Sequence, residues 1–487
     1  MKKRILSMLI LAAMLLYSCS DTTDSEETTG ADSAPVVEGA EAEAAVETEP
    51  ETEIDTKDKV PEMSFDKEMN LLLPDVNWQT RNIIAEELNG DACNDAVYNR
   101  NLGIETRFDT KITCQMNTAP ASYISTLVTS GTDEFDIVGM YDFLAYNALN
   151  AQAVLNWLEV PHVNLEKPWH NKLANDNATI NGRLYAICSD LAITSMLYTH
   201  AFFFNGTLVE NYGYTADDIY TLVKEGQWTI DKAIDITSPM YVDVDGNGTR
   251  EATDTYGFAY SIWNAADVWL SAFGQSVCTT SDTGIEMTFM SDKTVSMLEK
   301  LLEMHYNNAG FTKLATQYDE ETYFLEEKLV MAPMRFAAAY NKLRDMDAEF
   351  GIVPFPKYDE AQENYVTYIA GYAAFCGVPI TASDMQRTGV ILENLCAYSY
   401  GELREAYVDT TLNFKYIRDQ ESAEMLNLIL DSGRFSLTDI LAVTTPIDTY
   451  NSNATGAKME IASSYAKILK ASGKLLDKNV KKLLKLE

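Results

Sequence analysis

Short apolar runs that alternate with helical segments constrain this chain more than any other feature. "EMNLLLPDV" (68–76) and "FDIVGMY" (135–141) are brief, apolar and bounded by turn residues, the pattern of buried strands. Between them "NWQTRNIIAEELNGDACNDAVYNRNLGIETRF" reads as helices, "DTKITC" as a strand, and "APASYISTLVTSG" as a helix that stops at Gly131. "LYTHAFFFNG" and "VMAPMRFAAAY" are further buried strands. "SDKTVSMLEKLLEMHYNNAG" is amphipathic, with Ser291 as its N-cap and Gly310 after its end. "TASDMQRTGVILENLCAYSYGELREAY" and "SAEMLNLILDSGR" are also helical. Strands alternating with helices predict an α/β protein whose sheets are covered on both faces. No repeat of solenoid period occurs.

The first residues, "MKKRILSMLILAAMLLYSCS", combine a basic start with an apolar run too short to span a bilayer, which is the shape of an export signal. "LYSC" resembles a bacterial lipobox, which implies a signal peptide over 1–18 and lipidation of Cys19. Residues 21–59 carry 14 acids and two lysines and almost no large apolar groups. Such a segment cannot bury enough surface to offset the entropy of ordering, so 19–65 is expected to be an extended, disordered tether. The net charge of −36 argues against nucleic acid, whose phosphates need a basic footprint. Six cysteines remain beyond Cys19, scattered and without a CxxC; burial as small apolar side chains is the expected state of most. The lysine-rich C-terminal segment, "SSYAKILKASGKLLDKNVKKLLKLE", reads as a final helix with docked leucines and solvated lysines.

Little in the chain points to catalysis. There are four histidines and no HExxH, no G-x-S-x-G and no Walker P-loop. "DVDGNGTREATD" (243–254), by contrast, has the oxygen-donor spacing of a calcium loop. Asp243, Asp245 and Asn247 offer side-chain oxygens, Thr249 a carbonyl, Glu251 a carboxylate, and Asp254 the twelfth position. Asp254 is shorter than the usual glutamate, and "TDTYGFAYS" after it reads as turn and strand. The expectation is either a solvated acidic turn or a structural Ca2+ that rivets a loop between a helix and a strand. No other cofactor is implied.

Several stretches, in order along the chain, resemble extracellular solute-binding lipoproteins of ABC importers. They resemble in particular the large two-lobed sugar-binding class that includes maltose-binding protein. The stretches are "NGDACNDAVYNRNLGIETRF", "DEFDIVG", "AFFFNGTLVENYG", "KEGQWTIDKA", "FGIVPFPKYDEAQENY" and "KYIRDQESAEMLNLI". The resemblance implies two α/β lobes joined by crossing strands, with ligand in the cleft between them. It divides the chain into a first lobe of 66–190 and 325–352 and a second of 191–324 and 353–487. It also implies a monomer, lipid-anchored on the extracellular face, that captures a carbohydrate and delivers it to ABC permease subunits. The alternatives are a surface glycan-binding lipoprotein that works without a permease and a lipid-anchored glycoside hydrolase.

Sugars present flat C–H faces beside hydroxyls and need aromatic platforms with paired donors and acceptors, held at strand ends that face the cleft. The candidates are Tyr141 and Asp142 after "FDIVGM", Ser189 and Asp190 near the first crossover, and Trp263 and Asn264 after "GFAYSI". Arg335 after "VMAPM" and Tyr372 after "YIAG" complete the set. Trp228 in "GQWTID" is expected to serve packing, beside a helix capped by Thr229, and Trp269 is expected to be buried.

Overall fold

The computed structural model describes residues 63–75, 83–261, 265–281, 284–289, 291–314, 316, 318–343, 346–370, 375–408, 420–444, 446–448, 450 and 461–484. Cys19 and the expected signal and tether up to residue 62 lie outside them. Residues 63–65 do not belong to a tether, because Phe65 donates its amide to the Phe108 carbonyl (2.9 Å) and lays its ring against Phe108.

The first sheet is built on β1 (Met69–Pro74), flanked in parallel by β2 (Ile112–Asn117) and β3 (Ile137–Met140). The helices Ala92–Phe108 and Pro120–Ser130 make the crossovers, so the chain alternates strand and helix as its apolar pattern predicts. A buried ion pair ties this sheet to the helix Met385–Tyr398: Arg387 meets Asp136, whose other oxygen accepts the Asn70 amide (2.8 Å).

The second sheet contains β4 (His200–Asn205), β5 (Tyr241–Val242) and β6 (Thr255–Ser261). β7 (Cys278–Ser281) and β8 (Gly284–Met287) form a separate hairpin, after which β9 (Phe311–Leu314), β10 (Leu329–Arg335) and β11 (Phe350–Val353) rejoin the sheet. Its order is β11-β4-β10-β6, with β5 and β9 both on the outer edge of β6. Phe202 of β4 organises the core beneath. It stacks on Phe258 (5.3 Å) and meets the edges of Trp228 (5.7 Å), Trp269 (6.2 Å) and Phe355 (5.6 Å). Trp228 is fully buried and donates Nε1–H to the Pro354 carbonyl (2.8 Å), the packing role expected of it. Gly351 must lack a side chain, because a Cβ there would fall 2.1 Å from the Phe204 ring.

The chain then forms β12 (Thr367–Tyr368) and β13 (Phe375–Gly377), and later β14 (Gly433–Arg434), which pairs with β12. β13 lies antiparallel on β3 and so completes the first sheet. The lobe division expected from the sequence is corrected on two points. β10 and β11, which lie within 325–352 apart from Val353, pair with β4 in the second sheet, and β13, within 353–487, belongs to the first. Sheet membership follows from backbone pairing and register, and an apolar run has the same composition whichever partner it meets.

Two antiparallel segments connect the sheets. Ile187 exchanges backbone hydrogen bonds with Cys376 at the first sheet (3.0 and 3.2 Å), and Ala370 donates to Tyr198 (3.0 Å) beside the second. Asp190 lies on the first crossing, as the sequence suggested. Five of the six cysteines are buried, Cys114 is half-buried, and none of them is in a disulfide. In the C-terminal helix Ile461–Leu484, Leu476 and Leu483 are docked while Lys474, Lys478 and Lys481 face solvent. No helix among the described residues is long and apolar enough to cross a membrane.

Candidate functional site

β6, β9 and β10 run parallel, so Ser261, Leu314 and Arg335 end on one edge of the second sheet. Antiparallel β4 starts on that edge, with His200 opposite Arg335. Likewise β1, β2 and β3 end together, and β13 enters with Phe375 opposite Met140. Both crossings therefore join the sheets at the carboxyl ends of their parallel strands. Open α/β sheets bind ligands outside those ends.

Arg335 is the centre of the second edge. Its guanidinium lies over the Tyr318 ring at 3.8 Å, with the Tyr198 ring 5.2 Å away. Nη2 donates to Glu321 (3.0 Å), and Lys342 holds the other Glu321 oxygen (3.0 Å). Among the described residues the other Arg335 donors make no hydrogen bond, which leaves part of the guanidinium fork for an acceptor. Tyr318 adopts a left-handed backbone (φ 68°) at the start of the helix Asp319–Leu325, a conformation costly for a bulky residue. His200 is held neutral: burial and then the neighbouring Arg335 push its pKa down to about 3, and its Nδ1–H donates to the Tyr368 carbonyl (3.2 Å).

Glu320 adds a buried acid. Ser261 donates to one oxygen (3.2 Å), and the other has no partner. Burial, with a further push from Glu321, raises its pKa to about 7. The folded state thus holds this proton more tightly than the unfolded chain does. Stability falls as pH rises from the ordinary glutamate value through about 7, by something on the order of 3 kcal/mol, and is flat above. Glu320→Gln, neutral at every pH, is expected to raise the melting temperature at pH 8 and leave it unchanged at pH 5. An equal difference at both pH values would show that Glu320 titrates alike in the folded and unfolded chain.

The structure places the sequence-named residues unevenly. Tyr141 follows β3 and is buried at the first-sheet edge, and Asp142 opens the helix Asp142–Asn150, though its side chain lies outside the described residues. Trp263, Asn264 and Tyr372 lie outside them as well. Asp190 stands apart from the Arg335 cluster, in a hinge cavity. Sequence reasoning missed Tyr198, Tyr318, Glu320 and Glu321.

The acidic loop 243–254 connects antiparallel β5 and β6, where a loop between helix and strand was expected. Gly246 (φ 71°) and Gly248 (φ 74°) let it fold back, so that Asp243 accepts both their amides (2.8 and 2.7 Å). Carboxylate oxygens of Asp243, Asp245 and Asp254 lie within 4.8 Å of one another. The Asn247 amide donates to Asp245 (2.8 Å) and Glu251 (2.9 Å), so a positive partial charge already sits between two carboxylates. The Thr249 amide donates to the Asn247 side-chain oxygen (2.6 Å). Fully buried Asp254 takes hydrogen bonds from Tyr241 and the Val244 and Glu251 amides, which close the loop. These hard oxygens in a folded-back loop fit calcium.

No family model and no curated protein matches the sequence. Solved structures do match the fold. The GacH receptor of Streptomyces glaucescens, described in unliganded form and in complex with acarbose, aligns at TM-score 0.55 and 12% identity over 85% of this chain and 99% of that one. A cyclic alpha-maltosyl-1,6-maltose binding protein from Arthrobacter globiformis gives 0.58 and 12%, over 85% and 99%. The maltose/maltodextrin-binding domain MalE from Bdellovibrio bacteriovorus, bound to maltotriose, gives 0.51 and 10%, over 86% and 100%. The chain therefore has the two-lobed α/β fold of these binding proteins.

Proposed function

We propose that this chain captures a carbohydrate, an oligosaccharide by class, between its two lobes and delivers it to an ABC permease. One observation carries the reading: at the strand-end edge beside the hinge, an arginine with spare donors lies near two tyrosine rings. Rings take the C–H face of a sugar and guanidinium N–H groups take its hydroxyls. The fold adds support, since similar chains are bound to maltotriose or described with acarbose. Tyr141, Asp142, Trp263, Asn264 and Tyr372 complete the site in this reading. The test is a thermal-shift and calorimetric screen of the soluble domain against maltose, maltotriose, maltotetraose and unrelated glycans. A saturable shift without turnover supports binding. Hydrolysis of the sugar, or no response to any glycan, sinks it.

In the same reading the chain is a monomer held on the outer face of the membrane by lipid on Cys19. Cys19→Ser is expected to release it or leave it unprocessed, and unchanged membrane partitioning would remove the anchor. The 243–254 hairpin serves as a structural calcium site. Calcium at a hundred times its Kd would add about 2.7 kcal/mol of stability by mass action. Asp243→Ala with Asp245→Ala is expected to abolish that gain. A melting temperature indifferent to chelator would leave the loop an acidic turn.

A further inference from the structure

A polar cavity of about 310 Å3 lies at the hinge, apart from the Arg335 cluster. Asp190, Ser195 and Thr199 of the first crossing line it, as does Ile369 of the second. Arg404, after the helix Met385–Tyr398, and Asp431, at the end of the helix Gln420–Asp431, also line it, and the Asp431 charge acts on Asp190. Its volume is at the lower end of the range for small-molecule sites.

Two of its charges, Asp190 and Arg404, have no ion-pair partner among the described residues, whereas Lys172 and Glu166 of the same lining pair with each other (3.1 Å). Asp190 feels the Arg404 charge, which holds its acidity up against the burial that raises its pKa to about 6. Yet Asp190 and Arg404 form no ion pair, and neither side chain makes a hydrogen bond among the described residues. Arg404 only faces the Tyr400 ring, at 5.1 Å. His170, also in the lining, is 2% exposed; its Nε2 meets Glu393 (2.8 Å) and its Nδ1 has no partner. Opposite charges left apart across a polar space are an arrangement that a dipolar molecule completes. The rest of the lining is mixed: Leu173, 41% exposed, with Met196, Ile369 and Leu430 supplies apolar wall, beside Asn171, Tyr400 and the Lys172–Glu166 pair.

We propose that this cavity binds a small zwitterion of the α-amino-acid class, with its ammonium on Asp190 and its carboxylate on Arg404. An apolar side chain lies against Leu173, Met196 and Leu430. The carboxylate can take both arms of the guanidinium, which a lone hydroxyl cannot. Because both crossings line the cavity, an occupant that fits one hinge angle better than another shifts the lobe equilibrium by that difference in affinity. Only this coupling rests on the carbohydrate reading; binding itself does not.

The experiment uses the mature protein with L-leucine as probe, followed by thermal shift and calorimetry. The half-ligands are 3-methylbutylamine and 4-methylpentanoate. L-leucine is expected to raise the melting temperature by several degrees at saturation, and neither half-ligand is expected to do so at the same concentration. Asp190→Asn and Arg404→Gln are each expected to weaken L-leucine binding at least tenfold. Arg404→Lys, which keeps the charge and loses the fork, should fall between and guards against a folding defect. Arg404→Gln is expected to keep the response to maltotriose. No L-leucine binding, equal binding of a half-ligand, or binding indifferent to all three variants overturns the proposal. A maltotriose response lost with Arg404→Gln in a folded protein overturns it too, because the cavity would then belong to the sugar cleft.

Discussion

Arg335→Met is expected to weaken carbohydrate binding by roughly ten- to a hundredfold. The variant keeps the length and apolar stem of the side chain and removes the guanidinium that lies over Tyr318. Hydrogen bonds from a charged donor contribute about 1.5–3 kcal/mol each, and each 1.4 kcal/mol is about tenfold in affinity. The change also leaves Glu321 without its closer-packed partner. Removing one member of a buried pair costs about 3–5 kcal/mol where nothing else compensates. Here Lys342 still reaches the second Glu321 oxygen, so the loss of stability should be at or below the lower end. Isothermal titration of folded variant separates the two effects. A folded Arg335→Met with parental affinity would place the ligand elsewhere.

Trp228→Ala is expected to act in the opposite sense, with a stability loss of about 3–5 kcal/mol and intrinsic affinity nearly unchanged. The indole is fully buried, meets Phe202 edge-on and spends its N–H on Pro354. Its removal opens a cavity under the second sheet and orphans a buried carbonyl, with no direct route to the strand-end edge. Denaturant unfolding should show the midpoint shift. Titration of the folded fraction should show the same Kd, and a lost Kd with intact stability would mean that the cleft runs through this packing layer.

Local structure was legible because it is written in neighbouring residues. Ser291 and Thr229 cap their helices as their positions suggest, and the brief apolar runs became strands. Arg335 stands out in the sequence because a charged residue ending an apolar strand is conspicuous. The pairing of β10 with β4 does not, since any apolar strand offers the same ladder of backbone groups. Tyr318 escaped notice because its left-handed backbone leaves no mark on composition. Glu320 and Glu321 stand in the acidic run "DEE", which in sequence looks like a solvated face; their burial is created by the sheet edge above them.

The hydrogen-bonded pair of crossings has a mechanical consequence. Two antiparallel segments tied at Ile187–Cys376 and at Ala370–Tyr198 resist sliding past each other, because sliding breaks the cross-links, but they bend together with the links intact. Lobes joined in this way are expected to swing as a door does and not to shear. The amides of Ala370 and Cys376 should accordingly exchange slowly with deuterium whether the cleft is open or shut, while a pair of fluorophores across the cleft reports large changes in separation.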